Sequence, residues 1–202
     1  MQVQPSSCES THADLNSPTT QQRAVLLDRD GVINVNHGYV FNPKNFEFID
    51  GIFEVAHTAY SRGYKLIVIT NQSGIGRGYY SERQFHQLTA WMCNEFLHAG
   101  APIEKVYFSP FHPTEGIGAY RKDDVSRKPR PGMIHQAQRE INLDLGSSIL
   151  IGDKASDIEA GIAAGVGLNI LFAQKQPSKL SGLPYKTIAA LREALPFINS
   201  SH

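Results

Sequence analysis

Short, nearly uninterrupted apolar runs at residues 24–27, 65–69, 106–108, 149–151 and 168–172 read as strands buried on both faces. Between them the apolar period changes to that of a helix. Ile52, Phe53, Ala56, Ala59 and Tyr60 recur at helical spacing; so do Phe85, Leu88, Met92 and Phe96, behind a Ser81 whose partner Gln84 completes a capping box. Pro131 opens a further helix, residues 157–164 form another, and residues 187–197 read as a terminal one. Strand and helix in alternation predict an α/β fold in three layers, a Rossmann-like parallel sheet with helices on both faces. Residues 1–22 break the pattern. They are rich in Ser, Thr, Gln and Pro and poor in large apolar side chains, so burial cannot repay the entropy of ordering them. The expectation is a disordered tail followed by one domain over residues 23–202.

Composition narrows the function. Lysine plus arginine and aspartate plus glutamate each count 19, so the 202-residue chain has no global field to draw in nucleic acid or anionic lipid. Any charge that holds an anion must be local. No stretch of about 18 apolar residues suggests a membrane span, and the start of the chain lacks a secretory pattern. Two cysteines, Cys8 and Cys93, do not make a disulfide framework. A cytoplasmic protein with a small-molecule partner, monomeric or weakly oligomeric, is expected.

Ligands of open parallel sheets bind beyond the carboxyl ends of the strands, so the polar residues there carry the chemical information. The first run ends in Asp28-Arg29-Asp30-Gly31, the second in Thr70-Asn71-Gln72-Ser73, and the fourth in Gly152-Asp153-Lys154; Arg127-Lys128 follows the third. Each has a bland reading as a turn, a helix cap or a solvated pair. Together they put carboxylates, a hydroxyl and a lysine on one sheet edge. Asp28 can act as a nucleophile toward phosphorus, and Asp30, two residues on, as general acid and base. Asp28, the Asp30 carbonyl and Asp153 offer the oxygen ligands that Mg²⁺ prefers. Thr70 and Lys128 suit the phosphoryl oxygens.

In order and in residue type, these motifs resemble the haloacid-dehalogenase (HAD) superfamily of phosphatases. Within it, the stretches at 27–34, 37–40, 45–51 and 70–75, Arg127-Lys128-Pro129 with Pro131-Gly132-Met133, and Gly152-Asp153-Lys154 resemble the family of heptose 1,7-bisphosphate 7-phosphatases. The resemblance covers about residues 24–172. It implies a HAD-like domain without a large cap, and a phosphosugar substrate cleaved on the way to nucleotide-activated heptose. It also implies substrate contacts from Asn36, His37, Gly38, Tyr39, Asn71, Gln72, Ser73, Arg127 and Lys154. Asp157 reads as support or a helix cap. A histidinol-phosphate phosphatase, which shares the motifs, is the alternative enzyme; a non-catalytic phosphosugar-binding protein is the alternative of another class.

One departure stands out. Relatives implied by the resemblance hold a structural zinc through Cys-x-His and Cys-x-Cys pairs in the loop after the third strand. Here those places read Ser109-Pro110-Phe111 and Asp124-Val125-Ser126. Serine and phenylalanine cannot supply zinc ligands, so no structural zinc is expected.

Overall fold

The computed structural model describes residues 20–174 and 177–200. The expected tail lies outside them as far as residue 19. Backbone pairing begins at Gln22, which bridges to Leu143. Six parallel strands follow: β1 (Ala24–Leu27), β2 (Lys65–Asn71), β3 (Ile103–Ser109), β4 (Ile149–Gly152), β5 (Leu168–Phe172) and β6 (Lys186–Ile188). Their order across the sheet is β3-β2-β1-β4-β5-β6. Chain progression therefore reverses at β1, and the crevice beyond the ends of β1, β2 and β4 is where such a sheet takes its ligand.

Strand alternation divides the core into two apolar layers, one on each side of the sheet. Val25, Leu27, Leu66, Val68, Ile149, Ile151 and Ile170 share one layer with Ile52, Val55 and Ala59 of helix α1 (Ile52–Ser61). The four-residue helix α2 (Ser73–Gly76) follows β2 directly. Leu88, Met92 and Phe96 of the next helix, α3 (Glu82–His98), join the first layer. Ala24, Leu26, Ile67, Ile69, Leu150 and Leu171 face the other way. There they meet Met133, Ile134 and Ala137 of α4 (Gly132–Ile141) and Ile158 and Ala160 of α5 (Ala155–Ala164). These are the three layers expected. The capping box at Ser81 forms as read, its hydroxyl accepting from Gln84 N–H while the Gln84 side chain accepts from Ser81 N–H.

The expected terminal helix over residues 187–197 is corrected. Thr187 and Ile188 belong to β6, which pairs with the open edge of β5 from Ile170↔Lys186 to Phe172↔Ile188. A 3₁₀ turn (Leu191–Ala194) and the short helix α6 (Leu195–Ser200) follow. Ile188, Leu191, Ala194 and Ile198 are all buried, so a strand, a turn and a helix together imitate one helical stripe. Among the described residues no helix is long and apolar enough to cross a membrane.

Candidate active site

After β1 the chain turns sharply. The Arg29 carbonyl accepts from the N–H groups of Val32, Ile33 and Asn34, and Gly31 takes a φ of +101°. A Cβ on Gly31 would lie 2.2 Å from Asp153 Oδ2, so the bare backbone here lets the ends of β1 and β4 approach. Asp28, Asp153 and Asp157 each bring a carboxylate oxygen within 4.8 Å of the others.

Lys128 is buried against this group. Its ammonium lies 2.9 Å from Asp28 Oδ1 and 2.7 Å from Asp157 Oδ1, and donates to the Ile69 carbonyl at 2.7 Å. All three of its protons are thereby engaged. Burial works against the charge on Lys128, but Asp157 and Asp28 outweigh it and raise its pKa. Burial likewise opposes ionisation of Asp28, yet Lys128 and Lys154 carry its carboxyl below the usual value. Asp28 is thus a carboxylate, as a nucleophile must be. Asp153 goes the other way: burial, followed by the charge on Asp28, lifts it to about 7. Mutual repulsion within an all-oxygen donor set is what a hard divalent cation relieves, so Asp28 and Asp153 fit Mg²⁺. Asp157 is committed elsewhere. Its Oδ1 meets Lys128, and its Oδ2 accepts from Lys154 N–H at the start of α5.

Asp30 lies outside the carboxylate cluster. Arg29 NH2 donates to both of its oxygens at 2.9 and 2.8 Å, Asn34 Nδ2 reaches Oδ1 at 3.1 Å, and Gln72 Nε2 reaches Oδ2 at 2.9 Å. A cavity of about 480 Å³ opens beside it. Asn36, Gly38, Tyr39, Asn71, Gln72, Ser73, Arg127, Lys128 and Lys154 line this cavity with Asp30, as do Tyr80 and Ser156, which the sequence reading did not single out. Thr70 is buried at the end of β2 beneath Gln72.

Not every expected contact residue points its side chain at this space. His37 lines an adjoining cavity and lies 3.1 Å from Glu47 Oε2. Asn71, besides lining the cavity, holds the chain, donating to the Lys128 carbonyl and accepting from Lys128 N–H, both at 3.1 Å. That pair of bonds ties the Lys128 loop to β2. Arg127 is half-buried and donates to the Phe111 carbonyl at 2.9 Å. Burial and the nearby Arg77 lower its pKa against the opposing pull of Asp123, at the wall of the cavity. Tyr39 adopts a φ of +51° and packs edge-on against Tyr79 at 4.6 Å. A bulky residue in that conformation is uncommon and concentrates at ligand-binding loops.

Comparison with known proteins identifies the family and the fold. A family model described as HAD-hydrolase-like matches residues 125–171. A D-glycero-alpha-D-manno-heptose-1,7-bisphosphate 7-phosphatase of Burkholderia mallei is 51% identical, covering 88% of this chain and 94% of its own. A D-glycero-beta-D-manno-heptose-1,7-bisphosphate 7-phosphatase of Vibrio cholerae is 45% identical, covering 82% and 89%. Among solved structures, a HAD-like phosphatase from Mesorhizobium loti superimposes with a TM-score of 0.80 at 29% identity, over 90% of this chain and 86% of its own. The fold is also that of D,D-heptose 1,7-bisphosphate phosphatase from B. bronchiseptica, solved with magnesium and phosphate: TM-score 0.75, 23% identity, 90% of this chain and all of that one.

Proposed function

The chain belongs to the family of D-glycero-D-manno-heptose-1,7-bisphosphate 7-phosphatases, and from that premise we propose how its own residues carry out the reaction and on which sugar. It is a Mg²⁺-dependent phosphoric monoester hydrolase that removes the 7-phosphate of the heptose bisphosphate through an aspartyl phosphate. The observation that carries the assignment of roles is Asp28 ion-paired to Lys128 and Asp153 to Lys154, two lysines that with Arg127 wall the cavity beside Asp30.

Asp28 attacks phosphorus in line with the bond to the sugar O7. As the new P–O bond forms the old one breaks, and Asp30 gives its proton to the departing sugar oxygen. Asp30, now a carboxylate, then takes a proton from water, which attacks the aspartyl phosphate and releases inorganic phosphate and free Asp28. Lys128 and the Thr70 hydroxyl face the charge that grows on the phosphoryl oxygens. Asp28, the Asp30 carbonyl and Asp153 would hold Mg²⁺, which would offset the negative charge between nucleophile and phosphate. Arg127 serves the distal 1-phosphate, the group for which a half-buried cation suits best. Between the two anomers we favour α, after the name of the relative at 51% identity. The setting proposed is the cytoplasm, in keeping with the cysteine usage.

Turnover of purified protein on both anomers, with phosphate release followed against Mg²⁺, tests this reading. One phosphate released per sugar, faster from the α anomer and lost in Asp28→Asn or in excess chelator, is the expected result. Undiminished release by Asp28→Asn would remove the mechanism, and preference for the β anomer or for histidinol phosphate would remove the substrate assignment.

A further inference from the structure

Gln72 is the most completely satisfied amide at the site. Its Nε2 donates to Asp30 Oδ2 and to Thr70 Oγ1, both at 2.9 Å, and its Oε1 accepts from the Tyr80 hydroxyl. Gln72 is 2% exposed and Tyr80 5%, so water does not compete for these bonds. From this connectivity we propose that Tyr80 and Gln72 are a positioning pair for Asp30, holding its carboxyl at the angle from which it protonates the leaving group. The proposal rests on the role given to Asp30 above and adds two residues that act through it.

The direction of the relay follows from its far end. Tyr80 is the donor to Gln72, since its hydroxyl meets Oε1, which can only accept; burial, which pushes the phenol up to about 12, keeps the proton there at working pH. An amide whose oxygen is taken by Tyr80 must present its nitrogen to Asp30 and Thr70. The flipped amide would give up both donations, to Asp30 Oδ2 and to Thr70 Oγ1, at once. Loop and strand make the two recipients unequal. Thr70 sits on β2 with a short side chain, and the phosphate it binds can orient its hydroxyl. Asp30 sits on the turn after β1 and depends on side-chain donors for its orientation. Arg29 and Asn34 hold it from one side and Gln72 from the other.

Packing shows that the ring of Tyr80 is built into place. It stacks on Phe41 with centroids 5.4 Å apart and an interplanar angle of 17°. A Cβ on Gly74 would lie 2.3 Å from Tyr80 Cε1, so only glycine at that position leaves the ring room to reach Gln72.

Leaving-group chemistry separates positioning of an acid from a general loss of structure. A sugar or other alkyl oxygen must be protonated as it departs, whereas p-nitrophenolate leaves without help. The experiment measures kcat/KM, which reports the steps up to formation of the aspartyl phosphate, for Tyr80→Phe and Gln72→Met. Each is compared on p-nitrophenyl phosphate and on whichever alkyl phosphate the unmodified enzyme turns over. Tyr80→Phe keeps the stacked ring and removes one oxygen; Gln72→Met fills the same space without a donor. General acid catalysis contributes about 10²–10⁴-fold, and a misaimed acid loses a part of it, so in each variant the alkyl ester should fall about tenfold more than the aryl ester. Equal losses on both esters in both variants would assign the pair to folding or to the phosphate contact and overturn the proposal, as would no loss on either. Choosing the alkyl ester by turnover keeps the test independent of the heptose assignment: an enzyme inactive on heptose bisphosphate but selective in this way would sink only the substrate reading.

Discussion

Replacing Lys128 with methionine removes the buried cation that contacts both Asp28 and Asp157, and leaves only the half-exposed Lys154 to offset their charge. The side chain is 3% exposed, and those of its partners Asp28 and Asp157 are 7% and 2% exposed. Methionine fills the space, so the loss is electrostatic rather than a cavity. Removing one member of a buried ion pair costs about 3–5 kcal/mol, because the remaining charge stays desolvated. Here two carboxylates stay behind, which puts the expected loss at the upper end. At about 2–4 °C per kcal/mol for a chain of this size, the melting temperature should fall by about 10 °C or more. The pH dependence has a definite sign. In the unmodified protein the raised pKa of Lys128 confers stability that is present below about pH 10 and lost only as pH rises through the folded value, so between pH 5 and 8 it is constant. Asp157 is already raised by burial and rises further without Lys128, while Asp28, held low chiefly by Lys128, loses that hold and moves up against its own burial. A carboxyl whose folded pKa is raised loses stability as pH climbs past its unfolded value. The deficit of Lys128→Met should therefore be greatest at pH 8 and shrink toward pH 5. Urea unfolding at pH 5, 6.5 and 8 in excess chelator measures it, and Asp157→Asn added to Lys128→Met should restore part of the loss at pH 8. A deficit under about 1 kcal/mol, or one that does not grow with pH, would refute the claim that Lys128 is the counter-charge of this site.

Three further outcomes are expected. Arg127→Ala should cut kcat/KM for heptose bisphosphate far more than for p-nitrophenyl phosphate, which has no distal group; equal losses would move Arg127 into the chemistry or the fold. Gly31→Ala should weaken Mg²⁺ by about tenfold or more, since the new methyl strikes Asp153 and the φ of +101° costs a further 1–3 kcal/mol or so. Mg²⁺ titration of activity checks it, and an unchanged midpoint would contradict the close approach. Protein purified without chelator should carry no zinc on the loop after β3. One zinc per chain, removed by substitution within residues 109–126, would show that other side chains recover the site.

Much of the fold was legible because a parallel sheet covered on both faces turns its strands into plain apolar runs, and five of the six could be read that way. β6 could not. It has three residues, only Ile188 is buried, and its place at the open edge of β5 is a tertiary fact. The carboxylates were legible for a related reason: in this topology a strand end is also a site, so Asp28, Thr70 and Asp153 are marked by the strands they terminate. What lay out of reach were the relations among side chains. Nothing local in Tyr80 announces a bond to Gln72 eight residues earlier, since the approach depends on Gly74 and on the turn of α2 between them. Asn71 and Gln72 were read as substrate contacts from resemblance. The structure gives their amides to Lys128, Asp30, Thr70 and Tyr80.

The loop after β3 makes the same point from the opposite side. Its sequence could say which zinc ligands are missing but not what stands in their place. In the structure the same positions are joined by hydrogen bonds. Asp124 Oδ1 accepts from Ser126 N–H at 2.9 Å and from its hydroxyl at 2.7 Å, and Ser126 Oγ lies 3.0 Å from Ser109 Oγ at the buried end of β3. Lys122 pairs with Asp124 Oδ2 at 2.8 Å and lies 4.0 Å from the ring centroid of Phe111, which in turn packs 6.1 Å from Tyr120. Burial opposes ionisation of Asp124, but Lys122 and Ser126 hold its carboxyl down at about 2, so the cluster stays assembled at neutral pH. Each such bond contributes about 0.5–1.5 kcal/mol. A structural zinc contributes about 10–16 kcal/mol in a small motif, so the hydrogen-bonded version is the softer tether. It is also placed to matter, because Ser126 immediately precedes Arg127 and Lys128, and Arg127 is bonded back to Phe111 within the same loop. Lys128 has its own anchors in Asn71, Asp28 and Asp157, whereas Arg127 has this loop. With the role proposed for Arg127, softness here should act on recognition of the distal group before it acts on the chemistry.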